Sequence, residues 1–438
     1  MKARALLAAH ALAAHALAAI TLAASPHALA GPALPLAGAP LYALPPEASV
    51  RRALEALPTL RQHGLQRELA GAEHARLDAG PHEWVARAGV LRREVRAAEP
   101  GRDRYREQEA SLERGLRWFG KADQDRAIGR QGIAVAEARR ADAWHEAGRA
   151  LMQDWYAALR TEAGVRTLER QHALVGQLAA AAARRVQAGE APALERMQAD
   201  TELLRAATRL AEARREAEQA LALLAATYRD LPAPQGAALP DPQPNLPPAG
   251  ADPGARAALE AGLETDNHEL ALARSEAEWE GLRARRAASE RMPDPTVGLH
   301  LVRERDGEER TVGLSLAIPL PGAARSAERD AAVLRARIAD EQVALVAQRV
   351  RLASRRSLAE REHSYRIWTG LREVEAQSTR QADLMARAWE AGECTLAEAL
   401  LGRRQALEAS LAAQAAHIDA LAAAARVALD AHALWARD

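Results

Sequence analysis

The sequence predicts a mainly α fold with a small β part, laid out as a tandem duplication of long coiled-coil helices that carry four strands. Three observations predict it. Two runs of nearly 70 residues, 121–188 and 323–391, contain no proline and are dominated by Ala, Leu, Arg and Glu. Ahead of each run lies a pair of short segments with a two-residue hydrophobic period. Sequence fragments also recur at a nearly constant offset.

The long runs read as helices because their residues lose little side-chain freedom in a helix and pack closely through small groups. Aromatic residues are only 3% of the chain, and Phe119 is the single phenylalanine. At 1.5 Å per residue each run approaches ~100 Å. Ile338, Leu345, Leu352 and Ala359 fall at a stride of seven, as do Leu203, Leu210, Ala217 and Leu224. Leu400, Leu407, Leu411, Ile418 and Leu421 keep the same seam. Such spacing asks for coiled-coil packing. Gly189 with Pro192 reverses the first long helix, and Gly392 with Thr395 reverses the second, glycine ending one helix and Thr395 capping the next. Both reversals therefore belong to one distant end, and the strands to the other.

The strands are clearest in the second half. Val297, Leu299 and Leu301 alternate with Gly298 and His300. Val312, Leu314, Leu316 and Ile318 alternate with Thr311, Gly313, Ser315 and Ala317, and Asp306-Gly307 supplies the hairpin turn. Pro293, Pro295, Pro319 and Pro321 bracket this hairpin, placed at about 295–319, and stop the flanking helices. The first hairpin, at about 82–118, is more charged. Trp84, Ala86, Ala88 and Val90 share one face of it, and Ala110, Leu112, Leu116 and Trp118 share the other strand's apolar face.

The duplication rests on spacing. Arg51-Arg-Ala-Leu-Glu-Ala56 recurs as Arg256-Ala-Ala-Leu-Glu-Ala261, Gly120 as Gly322, and Ala188-Gly189-Glu190 as Ala391-Gly392-Glu393. Each match is weak in so Ala-rich a chain, but all three share an offset of about 200 residues. The expected organisation is a first repeat over 31–230, with a long helical hairpin at 121–230, and a second over 254–438, with its helical hairpin at 323–436. Between them residues 231–253 form a Pro-rich connection that no helix can cross.

Residues 1–30 read as an export signal. Lys2 and Arg4 make a basic start, Ala5 to Ala24 an apolar stretch, and Ala28-Leu29-Ala30 a small-x-small cleavage pattern ahead of Gly31. No cysteine follows that pattern, which gives a lipid-anchored mature N-terminus no support. After residue 30 no run of 18 uncharged apolar residues occurs. The formal net charge is +0, leaving no electrostatic case for nucleic acid. Cys394 is the only cysteine, which excludes an intramolecular disulfide and any multi-cysteine metal site. No phosphate loop, catalytic triad or paired carboxylates in strand context appear, so an enzyme is not expected.

Four strands are too few to close a barrel, since single-chain outer-membrane barrels start at about eight. Yet strands of this length cross a bilayer if tilted. Open edges are intolerable in lipid, so further copies of the chain would have to complete the sheet. The rival reading is a non-channel periplasmic coiled-coil scaffold, which has no use for four amphipathic strands at one end.

At this point the residues carry a resemblance. The sequence resembles the TolC family of outer-membrane efflux proteins, and within it the branch that partners heavy-metal pumps of the resistance-nodulation-division type. The resemblance lies in His82-Glu-Trp84, Tyr105 to Arg126, Arg185-Val-Gln-Ala-Gly-Glu190, Met292 to Gly322, Ala391-Gly-Glu393 and Asp430-Ala-His-Ala-Leu-Trp435. It implies a homotrimer in the outer membrane with one shared transmembrane β-barrel of four strands per chain. It also implies a large periplasmic helical tunnel that meets a periplasmic adaptor (a membrane fusion protein) and an inner-membrane pump. The periplasmic tip and adaptor contact would then be Arg185, Val186, Ala188, Gly189 and Glu190, with Ala388, Trp389, Ala391, Gly392 and Glu393. Two positions depart from the family pattern: Trp118-Phe119 stands where Leu-Pro is usual, and Trp389 where tyrosine is common.

No catalytic, cofactor or metal site is expected. The pairs His82-Glu83, His268-Glu269 and Glu362-His363 put neighbouring side chains in different directions, and no His-x-x-x-His pair forms a helical chelate. Cys394 has no histidine nearby and is not expected to be a nucleophile. Trp144, Trp155, Trp368 and Trp435 read as packing residues on long helices.

Overall fold

The computed structural model describes residues 42–96, 102–234, 239–242 and 253–436. The expected export signal at 1–30 and much of the Pro-rich connection lie outside the described residues. The elements run α1 (Glu47–Glu55), α2 (Pro58–Ala79), β1 (Val85–Arg96), β2 (Arg102–Gly115), α3 (Lys121–Gln187) and α4 (Ala193–Thr227). The same order then repeats as α5 (Pro253–Thr265), α6 (His268–Ser289), β3 (Thr296–Glu304), β4 (Glu309–Ala317), α7 (Ala323–Glu390) and α8 (Leu396–Asp430). Helices α3 and α7 contain 67 and 68 residues, so each is ~100 Å long.

These long helices form the frame of a single helical wall. In the half nearer the strands the packing order is α2, α3, α6, α7; in the far half it is α4, α3, α8, α7. The wall therefore has α2 and α7 as its edges above, and α4 and α7 below. Of the three heptad stripes, Leu210, Ala217 and Leu224 on α4 are buried, as are Leu400, Leu407, Ile418 and Leu421 on α8. The α7 stripe is not. Ile338, Leu345 and Leu352 are 68%, 58% and 49% exposed, while α7 buries Val346, Val350, Leu358 and Trp368 instead. The seven-residue period identifies a seam, but which side of the helix meets its own chain depends on where α6 and α8 lie.

The largest core sits at the waist, where α2 gives way to α4 beside α3. Leu151, Met152, Trp155, Tyr156 and Leu159 of α3 pack there with Val50, Leu54, Ile418 and Leu421. Trp155 Nε1 donates to Ala43 O at 2.8 Å, Tyr156 Oη to Tyr42 O at 2.6 Å, and Trp144 Nε1 to Trp435 O at 3.1 Å. Large rings with one polar atom thus hold both end segments of the chain onto α3 while satisfying buried carbonyls. Among the described residues no helix is long and apolar enough to cross a membrane.

The four strands form one antiparallel sheet in the order β1-β2-β3-β4. The second hairpin turns through Arg305, Asp306 and Gly307, all at positive φ, with Asp306 Oδ1 accepting from Arg106 N at 2.9 Å. The first hairpin differs from the sequence reading at its base: Trp84, Leu116 and Trp118 fall outside the strands. Leu116 N still bonds Pro295 O, but from Arg117 onward the backbone and side chains turn to polar partners described below.

Candidate functional site

Residues directly opposite in an antiparallel pair share a face, so the register sorts the sheet into two surfaces. One row runs Ala86–Leu112–Leu299–Leu314, and the next Ala88–Ala110–Leu301–Val312. A third joins Arg114, Val297 and Leu316, with the Arg114 guanidinium 5.3 Å from the Trp84 ring centre. This apolar face is uncovered: Leu314 is 86% exposed and Val312 70%. The other face carries Ser111, His300 and Gly313 in one row and Glu113, Gly298 and Ser315 in another, with Arg87 paired to Glu113 at 2.6 Å. Beyond the row Gln108–Arg303–Arg310 the apolar face turns charged, and Arg104 pairs with Glu94 at 2.8 Å. The first hairpin therefore projects past the apolar band as a polar extension. Both β1 and β4 are open edges.

Below the sheet, a buried polar cluster joins the strands to the helices. Asp294, just before β3, accepts from Lys121 Nζ at 2.7 Å, His82 Nε2 at 2.8 Å and Trp118 N at 3.2 Å. Lys121 is 1% exposed and also pairs with Glu290 at 3.2 Å. Glu290 bonds Arg286 and, at 2.8 Å, Arg325. Asp125 receives Arg286 at 2.6 Å and Arg117 at 3.3 Å, and Arg117 donates to Leu77 O at 2.8 Å. Burial opposes the charge on Asp294 and Glu290, but these donors outweigh it and hold both carboxyls below their usual range. The first strand exit passes through Phe119 and Gly120 at φ 38° and 72°. The second instead runs extended through Pro319-Leu-Pro321 into Gly322 at φ −124°. The Trp118-Phe119 departure thus coincides with a differently shaped exit, with the Trp118 amide turned onto Asp294.

At the far end both helix reversals use one device. Gly189 at φ 75° gives N–H bonds from itself to Val186 O (3.1 Å) and from Glu190 to Arg185 O (2.9 Å). Gly392 at φ 77° repeats this, with bonds to Trp389 O (3.0 Å) and from Glu393 to Ala388 O (2.8 Å). This paired pattern satisfies the last helical carbonyls and needs a left-handed residue at its centre. After the second reversal Thr395 and Glu398 cap α8 reciprocally. Ala188, Gly189, Glu190, Ala391, Gly392 and Glu393 are exposed, whereas Arg185, Val186 and Ala388 are half-buried. Trp389 is 0% exposed and packs with Leu178, Ala182, Leu396 and Leu400. Arg185 stacks over its ring at 5.2 Å and donates to its carbonyl at 3.1 Å, locking the two reversals together. The Trp389 ring is a structural wedge within this chain, between the two reversals. Cys394 is half-buried, its thiol pushed up by that burial and by Glu398 and Glu393.

No protein-family model matches the sequence, and no curated relative does. Solved structures match over most of the chain. CusC, described as forming a transmembrane channel, aligns at 15% identity over 88% of this chain and 91% of its own, with a TM-score of 0.71. The CmeC outer-membrane channel of Campylobacter jejuni aligns at 13% identity over 89% and 86%, with a TM-score of 0.65. The outer-membrane protein VceC of Vibrio cholerae aligns at 13% over 88% and 95%, with a TM-score of 0.66. The chain has the TolC-like channel fold.

Within this TolC-like frame the structure assembles one group that sequence reading passed over. His145 of α3, His268 at the start of α6 and His432 just after α8 place one ring nitrogen each within 4.8 Å of the others. They are separated by more than 120 residues in sequence and share no motif, so no spacing rule could join them. Burial, with His432, His145 and Arg149 nearby, lowers the His268 pKa to about 4, and burial likewise lowers that of His432. Burial works against the Asp430 charge, but His145, Arg149 and Arg426 outweigh it and bring that carboxyl to about 2. Of the adjacent histidine–carboxylate residues, His82 turns to Asp294, and Glu269 binds Arg349.

Proposed function

We propose that the chain is the outer-membrane duct of a tripartite efflux system, working as a homotrimer with a periplasmic adaptor and an inner-membrane resistance-nodulation-division pump. The observation that carries this reading is the open four-stranded sheet with one continuous, uncovered apolar face. In water that face and both edges would invite aggregation. In a bilayer the face is solvated by lipid, and head-to-tail repetition of β4 against the next copy's β1 removes every edge.

The helical wall supports the same closure at two further levels. Above the waist, α2 exposes Leu65 and Leu69 at one edge while α7 exposes Leu334, Ile338 and Leu345 at the other. Below it, α4 exposes Met197 and Leu204 opposite Ile367 and Leu384 of α7. Each edge thus carries an apolar stripe for a neighbouring copy. Such a ring encloses an aqueous duct from the periplasm through the outer membrane. No chemical step on a substrate is assigned to it; the pump's gradient would drive transport and the pump would select cargo.

The tip is proposed as gate and adaptor contact, through the exposed Ala188, Gly189, Glu190, Ala391, Gly392 and Glu393. Heavy-metal cations are proposed as cargo from the sequence resemblance of the strand-flanking and tip segments. Detergent-extracted outer membranes run unheated and heated on denaturing gels test the channel. A heat-dissociable trimer that conducts in planar bilayers is expected, and a water-soluble monomer without β signal would overturn it. A deletion strain challenged with zinc, cobalt, cadmium, copper and organic toxicants tests the cargo, with sensitivity confined to organic compounds counting against metals.

A further inference from the structure

We propose that His145, His268 and His432 form a resident binding site for a divalent transition metal at the waist of the wall. The three ligands come from three separate pieces of chain: α3, the first residue of α6, and the turn after α8. His268 Nε2 and His432 Nε2 face each other at 2.9 Å, and the three ring centres lie 4.5–5.5 Å apart. Around a tetrahedral ion, with metal–nitrogen distances of ~2.1 Å, ligand nitrogens stand ~3.4 Å apart. The nitrogen separations in the structure, from 2.9 Å up to 4.8 Å, bracket that spacing.

Two surrounding features fit an ion better than a chance meeting of rings. The His145 ring is oriented by Asp430, whose Oδ1 lies 3.2 Å from Nε2, and Arg149 and Arg426 fix that carboxylate at 2.9 Å and 3.1 Å. A carboxylate holding a ligand histidine in this way is the usual outer support of a metal site. His432 stands at φ 56° as the left-handed residue that ends α8, its N–H on Leu429 O at 3.0 Å and that of Ala433 on Ala428 O at 2.9 Å, the device also used at Gly189 and Gly392. Finally, the cluster opens on a cavity of about 480 Å³ whose wall includes Asp266, leaving room for a carboxylate or water as a fourth ligand. Three imidazoles with oxygen support select Zn²⁺, Cu²⁺, Ni²⁺ or Co²⁺ over Mg²⁺ or Ca²⁺. An ion there would staple the chain's C-terminal turn and the start of α6 onto α3. The site stands independently of the channel proposal, because every ligand belongs to one chain.

The test uses the full chain without a histidine tag, purified in detergent, stripped with chelator and titrated with zinc by calorimetry. Cobalt substitution supplies a visible absorption band diagnostic of coordination geometry. One zinc per chain with sub-micromolar affinity is expected, together with a rise in the thermal midpoint on saturation. His268→Asn and His432→Asn should each weaken zinc binding at least ~100-fold and abolish the tetrahedral cobalt band. His432→Asn alters only a terminal turn, so loss of binding with unchanged helical signal separates ligand removal from misfolding. His417→Ala, on a histidine outside the cluster, should leave binding unchanged. The proposal is overturned if the wild-type chain binds no zinc at micromolar concentration, or if binding survives in the His268→Asn/His432→Asn double variant.

Discussion

Replacing Leu314 with Arg asks whether the uncovered sheet face meets lipid or water. Leu314 sits four residues along β4 from the polar row Gln108–Arg303–Arg310 and directly opposite Leu299. At ~3.4 Å per residue and a strand tilt of ~40°, it lies ~10 Å below that row, near the middle of a ~25 Å apolar band. Its side chain is 86% exposed, so the chain itself loses almost no packing when it is replaced. In water the change is worth no more than about 0.5 kcal/mol. In lipid an Arg at this depth costs about 2–4 kcal/mol per chain. Ser315→Arg, one residue away on the opposite face, is the matched control and should cost under ~1 kcal/mol because that face is wet in the assembled barrel. The assay is equilibrium urea unfolding of wild-type and variant chains refolded into lipid vesicles, read by tryptophan fluorescence. If Leu314→Arg destabilises no more than Ser315→Arg, the apolar face does not meet lipid and the bilayer reading fails.

Lys121→Met should destabilise the strand–helix junction by about 2–4 kcal/mol, because Asp294 and Glu290 each lose a buried cationic partner while keeping others. A double-mutant cycle with Asp294→Asn should return a coupling of at least ~1 kcal/mol, and additive effects would remove the pair from the junction's stability. Trp389→Ala should open a cavity between the two reversals worth about 3–5 kcal/mol, raising amide exchange in 182–199 and 386–400 but not at the waist. Uniform exchange would show that the tip is not a separate unit. Gly189→Val and Gly392→Val place a β-branched residue at φ 75° and 77°, costing about 1–3 kcal/mol locally; efflux in complemented cells should fall in both, and unchanged efflux would count against the tip as gate.

The parts of this fold that were legible in sequence are those written by local punctuation. Proline-free runs mark α3 and α7, Gly189 and Gly392 mark the reversals, and alternation bracketed by prolines marks β3 and β4. The first hairpin is blurred because Arg92, Glu94, Arg104 and Arg106 occupy its apolar side beyond the apolar band and break the alternation there. Which face of α7 is buried was not legible either. A heptad stripe serves a neighbouring chain as well as its own, and only the placement of α6 and α8 decides. Nothing in the local spacing marks Lys121 as a buried counter-ion, because that role depends on Asp294, 173 residues away. The three histidines share that limitation. Groups brought together by long helices lying side by side leave no trace in spacing, however close they end up in space.

The repeat itself makes one interchain contact predictable in register. Inside the chain, β2 of the first repeat pairs with β3 of the second, matching Arg114 to Val297, Leu112 to Leu299 and Ala110 to Leu301. Closing twelve strands at a tilt of ~40° requires a stagger of about four residues at each β4–β1 contact, because the rows inside the chain carry none; keeping apolar residues on one face then sets Leu316 opposite Ala88 and Leu314 opposite Val90. A slip of one residue would set Leu314 against Gly89 and turn the polar face into lipid, so only this register or a two-residue slip survives. Directly opposed strand residues have Cα atoms ~4.5–5.5 Å apart, within the range a disulfide spans. Val90→Cys with Leu314→Cys, in a chain whose Cys394 is changed to Ser, should therefore form covalently closed trimers when oxidised in outer membranes. Ala88→Cys and Arg92→Cys, each with Leu314→Cys, report the slipped registers and should give far less product. Equal cross-linking in all three would refute a fixed β4–β1 register, and absence of cross-linking in all three would refute the head-to-tail barrel.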